Sequence, residues 1–161
     1  MNNQNTNNLT NAVRPLKLFC DGAAPDNQNG CKRGGVGVVA YDTHGRTVYE
    51  YSKPIIEQGG TTNSKTELYA LAHALTLSSG LDSIHCDNKY VVDGYNMWLD
   101  GWKEKGWRKA DKKPVAHSDL WRHIAELKAA RPDVQVIHVK GHAGIKGNEH
   151  ADELASKAAR G

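Results

Sequence analysis

Two short apolar segments, LKLFCD (16–21) and LDSIHCD (81–87), each run into an aspartate, and a longer stretch with helical periodicity lies between them. In LKLFCD the side chains alternate. Leu16, Leu18 and Cys20 fall on one face and Lys17, Phe19 and Asp21 on the other, as in a strand. Residues 62–78 carry Leu68, Leu71 and Leu75 at i, i+3 and i+7 among alanines, a helix of about 15 residues ending near Gly80. Strand, helix and strand in this order call for a parallel crossover, and with it an α/β sheet. Ligands of open α/β sheets bind beyond the carboxyl ends of the strands, so Asp21 and Asp87 become neighbours if their strands do.

The remaining segments extend that plan. GGVGVVAYD and GRTVYEYSKP form a hairpin around His44 and Gly45, and YVVDGYNMWL suggests a short helix. Ser118 can cap a second amphipathic helix with Leu120, Trp121, Ile124 and Leu127 on its inner stripe. VQVIHVK is a further strand and GHAGIKGN a glycine-rich loop. Residues 149–159 form a last helix with Ala151, Leu154, Ala155 and Ala158 facing inward. Residues 1–15, with six Asn before position 12, read as a disordered tail, which leaves 16–161 as one domain. No apolar run approaches the ~18 to 20 residues of a membrane span, and the N-terminus lacks the basic-then-apolar order of a signal peptide. Cys20, Cys31 and Cys86 are odd in number and unclustered, which suits a reducing compartment, and Cys20 and Cys86 fall inside apolar stretches as packing residues. A cytoplasmic monomer is expected.

Charge is concentrated rather than large. The net charge is +3, yet residues 101–114 alone hold Lys103, Lys105, Arg108, Lys109, Lys112 and Lys113 against Glu104 and Asp111. Trp98, Trp102, Trp107 and Trp121 lie in or beside this tract. Bases interleaved with flat rings are what a polyanion-binding surface needs, since bases neutralise phosphates and rings offer apolar contact to sugars or bases. A solvated charged face anchored by its tryptophans is the alternative.

Four carboxylates carry the chemistry. Besides Asp21 and Asp87, Glu67 stands in the first turn expected for the 62–78 helix and Asp152 in that of the last helix. Singly, Glu67 fits a capping box with Ser64, and Asp152 sits favourably at a helix N-terminus. Together in one crevice they repel one another and take up protons unless a cation neutralises them. An all-oxygen set selects a hard ion, Mg²⁺ first and Mn²⁺ second. Two such ions roughly 3.5 to 4 Å apart can activate a water and stabilise the leaving oxygen of a phosphodiester.

At these residues the sequence resembles type 1 ribonuclease H, the family that hydrolyses the RNA strand of RNA/DNA hybrids. Six blocks carry the likeness in order: FCDGAA, GGVGVVA, TTNSKTELYAL, CDNKYVVDG, WLDGWKEKGWRKADKKPVAHSDLW and VKGHAGIKGNEHADELA. The resemblance implies a five-stranded mixed sheet of order 3-2-1-4-5 flanked by helices. It implies two Mg²⁺ ions, with Mn²⁺ as a substitute, held by Asp21, Glu67, Asp87 and Asp152, and products with 5′-phosphate and 3′-hydroxyl ends. Asp21 would bridge both ions, Asp152 would complete the one that activates water, and Glu67 and Asp87 the one on the leaving side. His142 matches the histidine assigned to proton transfer or product release, Glu149 a supporting acid, and Asn148 a residue shaping the same turn.

For the hybrid, the resemblance assigns Thr62 and Asn63 to a DNA phosphate and the minor groove. It places Trp98 and Trp102 in the DNA-strand channel, and Lys103, Lys105, Arg108, Lys109, Lys112 and Lys113 on a basic protrusion, with Trp107 and Trp121 in the core. Backbone groups around Gly22, Asn27 and Asn63 would read 2′-hydroxyls in a wide minor groove. Lys89 stands where many relatives have Gln, which converts a hydroxyl contact into a phosphate contact. The rival readings are a hybrid-binding module without catalysis, opposed by the complete acid set, and another nuclease of the same superfold, opposed by the protrusion and the His142 loop.

Overall fold

The computed structural model describes residues 9–25 and 31–161. Strands β1 (Lys17–Ala23), β2 (Cys31–Tyr41) and β3 (Thr47–Thr61) form an antiparallel unit. Helix α1 (Asn63–Leu77) then crosses to β4 (Ser83–Cys86), which pairs with β1 in parallel. Helices α2 (Lys89–Asp93) and α3 (Leu99–Glu104) follow, joined by a π-helical turn at Gly94–Trp98. Helix α4 (Ser118–Ala129), strand β5 (Gln135–His138), parallel to β4, and helix α5 (Lys146–Arg160) complete the chain. The sheet order is β3-β2-β1-β4-β5, the expected mixed arrangement. Among the described residues no helix is long and apolar enough to cross a membrane.

Alternation along β1 divides the core in two. Leu16, Leu18 and Cys20 enter the larger cluster with Leu68, Leu71, Leu75, Trp121 and Ile124 from α1 and α4. Phe19 faces the other way, packing with Val39, Tyr41 and Ala151 beneath α5. Helix α5 rides directly on β2, because Gly35 and Gly37 lack side chains there. A Cβ at Gly37 would lie 2.2 Å from the Ala151 carbonyl oxygen, which neither backbone can yield. That close approach places the N-terminal half of α5 over the end of β1.

The disordered tail expected over 1–15 is corrected for residues 9–15. Leu9 and Ala12 pack against the core, and Val13 O accepts from Thr43 N at 3.0 Å. The Arg14 guanidinium pairs with buried Asp82, whose other oxygen accepts from Leu16 N at 2.7 Å. Polar composition hid these anchors, whose partners lie far along the chain. Helix α5 begins at Lys146, ahead of the expected start, so Asp152 sits in its second turn. Ser118 is the first residue of α4 rather than its cap; His117 holds that position in a left-handed conformation, φ 57°.

His85 on β4 is buried, stacked on Phe19 at 4.9 Å and in contact with the Ser83 hydroxyl at 2.9 Å. Burial, aided by Lys17, pushes its pKa from 6.5 down to about 4. The folded state therefore holds His85 neutral where the unfolded chain has bound a proton. Its contribution to stability is complete above pH 6.5 and is lost as the pH falls towards 4. Denaturant unfolding should show the protein weakening across this window, and His85→Leu should flatten that decline; an identical pH slope in the variant would refute this reading.

Candidate active site

Strand β1 carries Asp21 into the crevice, β4 ends one residue before Asp87, and α1 supplies Glu67. Each offers an oxygen within 4.8 Å of the others, a group able to hold a metal ion. Asp21 and Glu67 are 4% and 5% exposed, and Asp87 is half-buried. Glu67 makes no capping box, since Thr62 caps α1 by accepting from Lys65 N. Instead Glu67 Oε1 accepts from Gly22 N at 3.1 Å. Only glycine allows this approach: a Cβ on Gly22 would lie 2.5 Å from the Thr66 carbonyl carbon. Asp152 reaches the Asp21 carboxyl from α5, so it stands beside the trio rather than inside it.

Burial first, then the charges of Glu67 and Asp87, drive the Asp21 pKa well above the carboxylate range. Glu67 is also raised, chiefly by burial and then by the neighbouring Cys86 thiol; hydrogen bonds from Asp21 and Gly22 only partly oppose this. Such a cluster cannot carry its full negative charge alone, and an oxygen-only donor set of this size matches a hard divalent cation.

Asp87 is held in turn. Its Oδ2 accepts from Asn148 Nδ2 at 3.2 Å, and Asn148 is 3% exposed. His142 is exposed in the loop after β5 with φ 55°, a conformation unusual for a side-chain-bearing residue, and Glu149 is exposed in the first turn of α5. Sequence reasoning gave Asn148 only a turn-shaping role, because nothing local pairs it with an acid 61 residues away.

The basic tract is divided by the fold. A groove of about 410 Å³ is lined by Met97, Trp98, Trp102, Lys105, Arg108 and Lys109. Trp98, 38% exposed, contacts Trp102 at 5.8 Å between ring centroids, and Trp102 meets buried Trp121 edge-on at 5.4 Å. Trp98 is thus solvent-facing, Trp102 half-buried, and Trp121 in the core as expected. Trp107 is only half-buried, with the Arg122 guanidinium over its ring at 5.5 Å. Lys112 and Lys113 sit in an exposed turn closed by Lys109 N donating to Lys113 O at 2.9 Å. Lys103 lines a separate groove with Tyr95, Lys128 and Arg131.

Of the other expected contacts, Lys89 is exposed and pairs with Asp93 at 2.9 Å. Asn63 is exposed at the start of α1, with its Oδ1 accepting from Ala24 N at 3.2 Å, while the Gly22 N–H is occupied by Glu67. Asn27 lies outside the described residues.

A mixed sheet of this order, with acids gathered at the carboxyl ends of its two central parallel strands, defines the ribonuclease H-like class of folds. The sequence profile of the RNase H family matches residues 14–160. Ribonuclease H of Novosphingobium aromaticivorans is 38% identical over 151 residues, covering 91% of this chain and 98% of that protein. Ribonuclease HI of Caulobacter vibrioides is 39% identical over 149 residues, covering 90% and 93%. Among solved structures, the PFV RNase H domain superposes with a TM-score of 0.77 at 27% identity, covering 92% of this chain and 96% of that one. LC11-RNase H1 in complex with RNA/DNA hybrid gives 0.66 at 26% identity, covering 91% and 97%. The chain belongs to the RNase H family as a type 1 enzyme.

Proposed function

We propose that this ribonuclease H cuts the RNA strand of RNA/DNA hybrids internally, with Asp21, Glu67, Asp87 and Asp152 holding two Mg²⁺ ions, or Mn²⁺ in their place. The observation that carries this is the trio of carboxylates, two buried and one half-buried, whose mutual repulsion demands positive charge. Ions bound there supply an activated water and stabilisation of the leaving 3′-oxygen, so the products carry 5′-phosphate and 3′-hydroxyl ends.

The chain's own residues do the rest. Asp21, fixed on the central strand, anchors the set, and the Gly22 N–H keeps the Glu67 carboxylate turned towards it. His142, exposed on its loop, moves a proton or eases product release, and Glu149, exposed in the first turn of α5, supports the acid set. The groove between Trp98, Trp102, Lys105, Arg108 and Lys109 receives the DNA backbone, with Lys112 and Lys113 adding charge at its rim. Thr62 and Asn63 meet the minor groove at the start of α1. An RNA strand presents the 2′-hydroxyls that duplex DNA lacks, and duplex RNA, stiffer and hydroxylated on both strands, fits worse. The enzyme acts as a cytoplasmic monomer.

End-labelled hybrid, duplex DNA and duplex RNA incubated with enzyme and Mg²⁺ test the reading. Internal cuts in the RNA of the hybrid alone, with 5′-phosphate ends, are expected; hybrid left intact by excess enzyme would refute it.

A further inference from the structure

Two elements converge on a single oxygen of Asp87. From α5, buried Asn148 donates through Nδ2 to Asp87 Oδ2 at 3.2 Å. From the loop that carries His142, Gly141 comes so near that a methyl on its Cα would lie 3.1 Å from the same oxygen. The amide holds Oδ2 on one side and little room is left beside it on the other, so the orientation in which Asp87 faces Asp21 and Glu67 is set from outside the cluster. The amide orientation follows from the chemistry: reversed, it would set one acceptor against another.

The other end of the amide carries the second observation. Asn148 Oδ1 is buried and has no hydrogen-bond partner among the described residues. A buried acceptor is seldom left unpaired in a native protein without a reason, and a missing water is one of the usual ones. A cation held by carboxylates keeps several waters, each bearing O–H donors.

We propose that Asn148 is a positioning residue for the metal site: Nδ2 locks Asp87 in its coordinating orientation while Oδ1 accepts from a water of the bound cation. Gly141, by lacking a side chain, lets the His142 loop pass close to the same carboxylate. The proposal rests on the metal-binding reading above, and it assigns Asn148 no contact with substrate.

Calorimetric titration of Mg²⁺ into free protein, without nucleic acid, is the primary test. Asn148→Ala should weaken Mg²⁺ binding by about tenfold or more, the usual consequence of removing a partner that orients a ligand. Asn148→Asp, which keeps the size but replaces the donor by an acceptor, should weaken it at least as much. In steady-state assays the KM for hybrid should stay near wild type, and kcat should recover as Mg²⁺ is raised. A purely structural role predicts the reverse, with lower melting temperature and activity at every Mg²⁺ concentration and unchanged metal affinity, and that pattern would overturn the proposal.

Gly141→Ala provides a variant that leaves the amide in place and presses a methyl onto Asp87 Oδ2. If Asn148→Ala does not fold, weakened Mg²⁺ affinity in Gly141→Ala supports the proposal and unchanged affinity overturns it. Failure of the underlying reading looks different, because the wild-type protein would then take up no Mg²⁺ that Asp21→Asn abolishes.

Discussion

Asp21→Asn is expected to bind hybrid as the wild-type enzyme does and to cut it on the order of a thousand times more slowly. The magnitude follows from the several kcal/mol that metal-ion catalysis supplies, at about 1.4 kcal/mol per tenfold in rate. Asp21 is the acid that the other three approach: Glu67 and Asp87 raise its pKa by their charge, and Asp152 reaches its carboxyl. An amide there keeps the shape, loses the charge and weakens the site for any cation. The groove lined by Trp98 and Lys105 is built from other elements and is left intact. Because burial beside Glu67 and Asp87 forces metal-free Asp21 to take up a proton on folding, a cost that an amide does not bear, the metal-free variant should unfold at higher temperature than metal-free wild type. Single-turnover cleavage, hybrid binding and thermal melting check the three parts, and wild-type turnover in the variant would show the metal site to be misplaced.

The second large effect concerns the protrusion. Replacing Arg108, Lys109, Lys112 and Lys113 together by Gln should raise the KM for hybrid on the order of 10- to 100-fold, with kcat at saturation close to wild type. These side chains are exposed and make few internal contacts, the clearest being Arg108 Nη1 donating to the Lys112 carbonyl at 3.0 Å, so folding should survive. Each phosphate contact contributes about 0.9 to the slope of log affinity against log salt on duplex DNA. Losing four should therefore flatten the salt dependence of hybrid binding by up to about 3 to 4 in that slope. The combination of higher KM and shallower slope separates a nucleic-acid surface from the alternative first weighed, a merely solvated charged face. An unchanged KM and slope would favour the solvated face.

Sequence periodicity made much of this legible because the determinants are local. The alternation of Leu16, Leu18 and Cys20 against Phe19 and Asp21 reflects strand geometry alone, and Leu16, Leu18 and Cys20 enter one cluster while Phe19 enters the other as that alternation requires. Glu67 reads as a helical acid of the shared crevice, with a capping box as its alternative when taken singly. A nearby Ser64 invites a capping box, whereas the bond to Gly22 depends on how closely β1 and α1 pack. Residues 9–15 were missed for a related reason, since Arg14 is held by Asp82, 68 positions away. The π-helical turn at Gly94 was also unforeseen. Trp121 packs against Gly94, and a Cβ there would lie 2.4 Å from the indole, so what the segment packs on is set by α4 rather than by its own pattern. Lys103 was grouped with its basic neighbours by proximity in sequence, and helix α3 turns it into a different groove. What escaped sequence reasoning is set by contacts between distant segments.

Diffraction from crystals soaked in Mn²⁺, with data collected at the manganese absorption edge, tests the metal site most directly. The prediction is anomalous density among the Asp21, Glu67 and Asp87 carboxylates, with a second peak on the Asp152 side of Asp21. Crystals that show no manganese at these carboxylates, at a Mn²⁺ concentration that supports cleavage in solution, would contradict it.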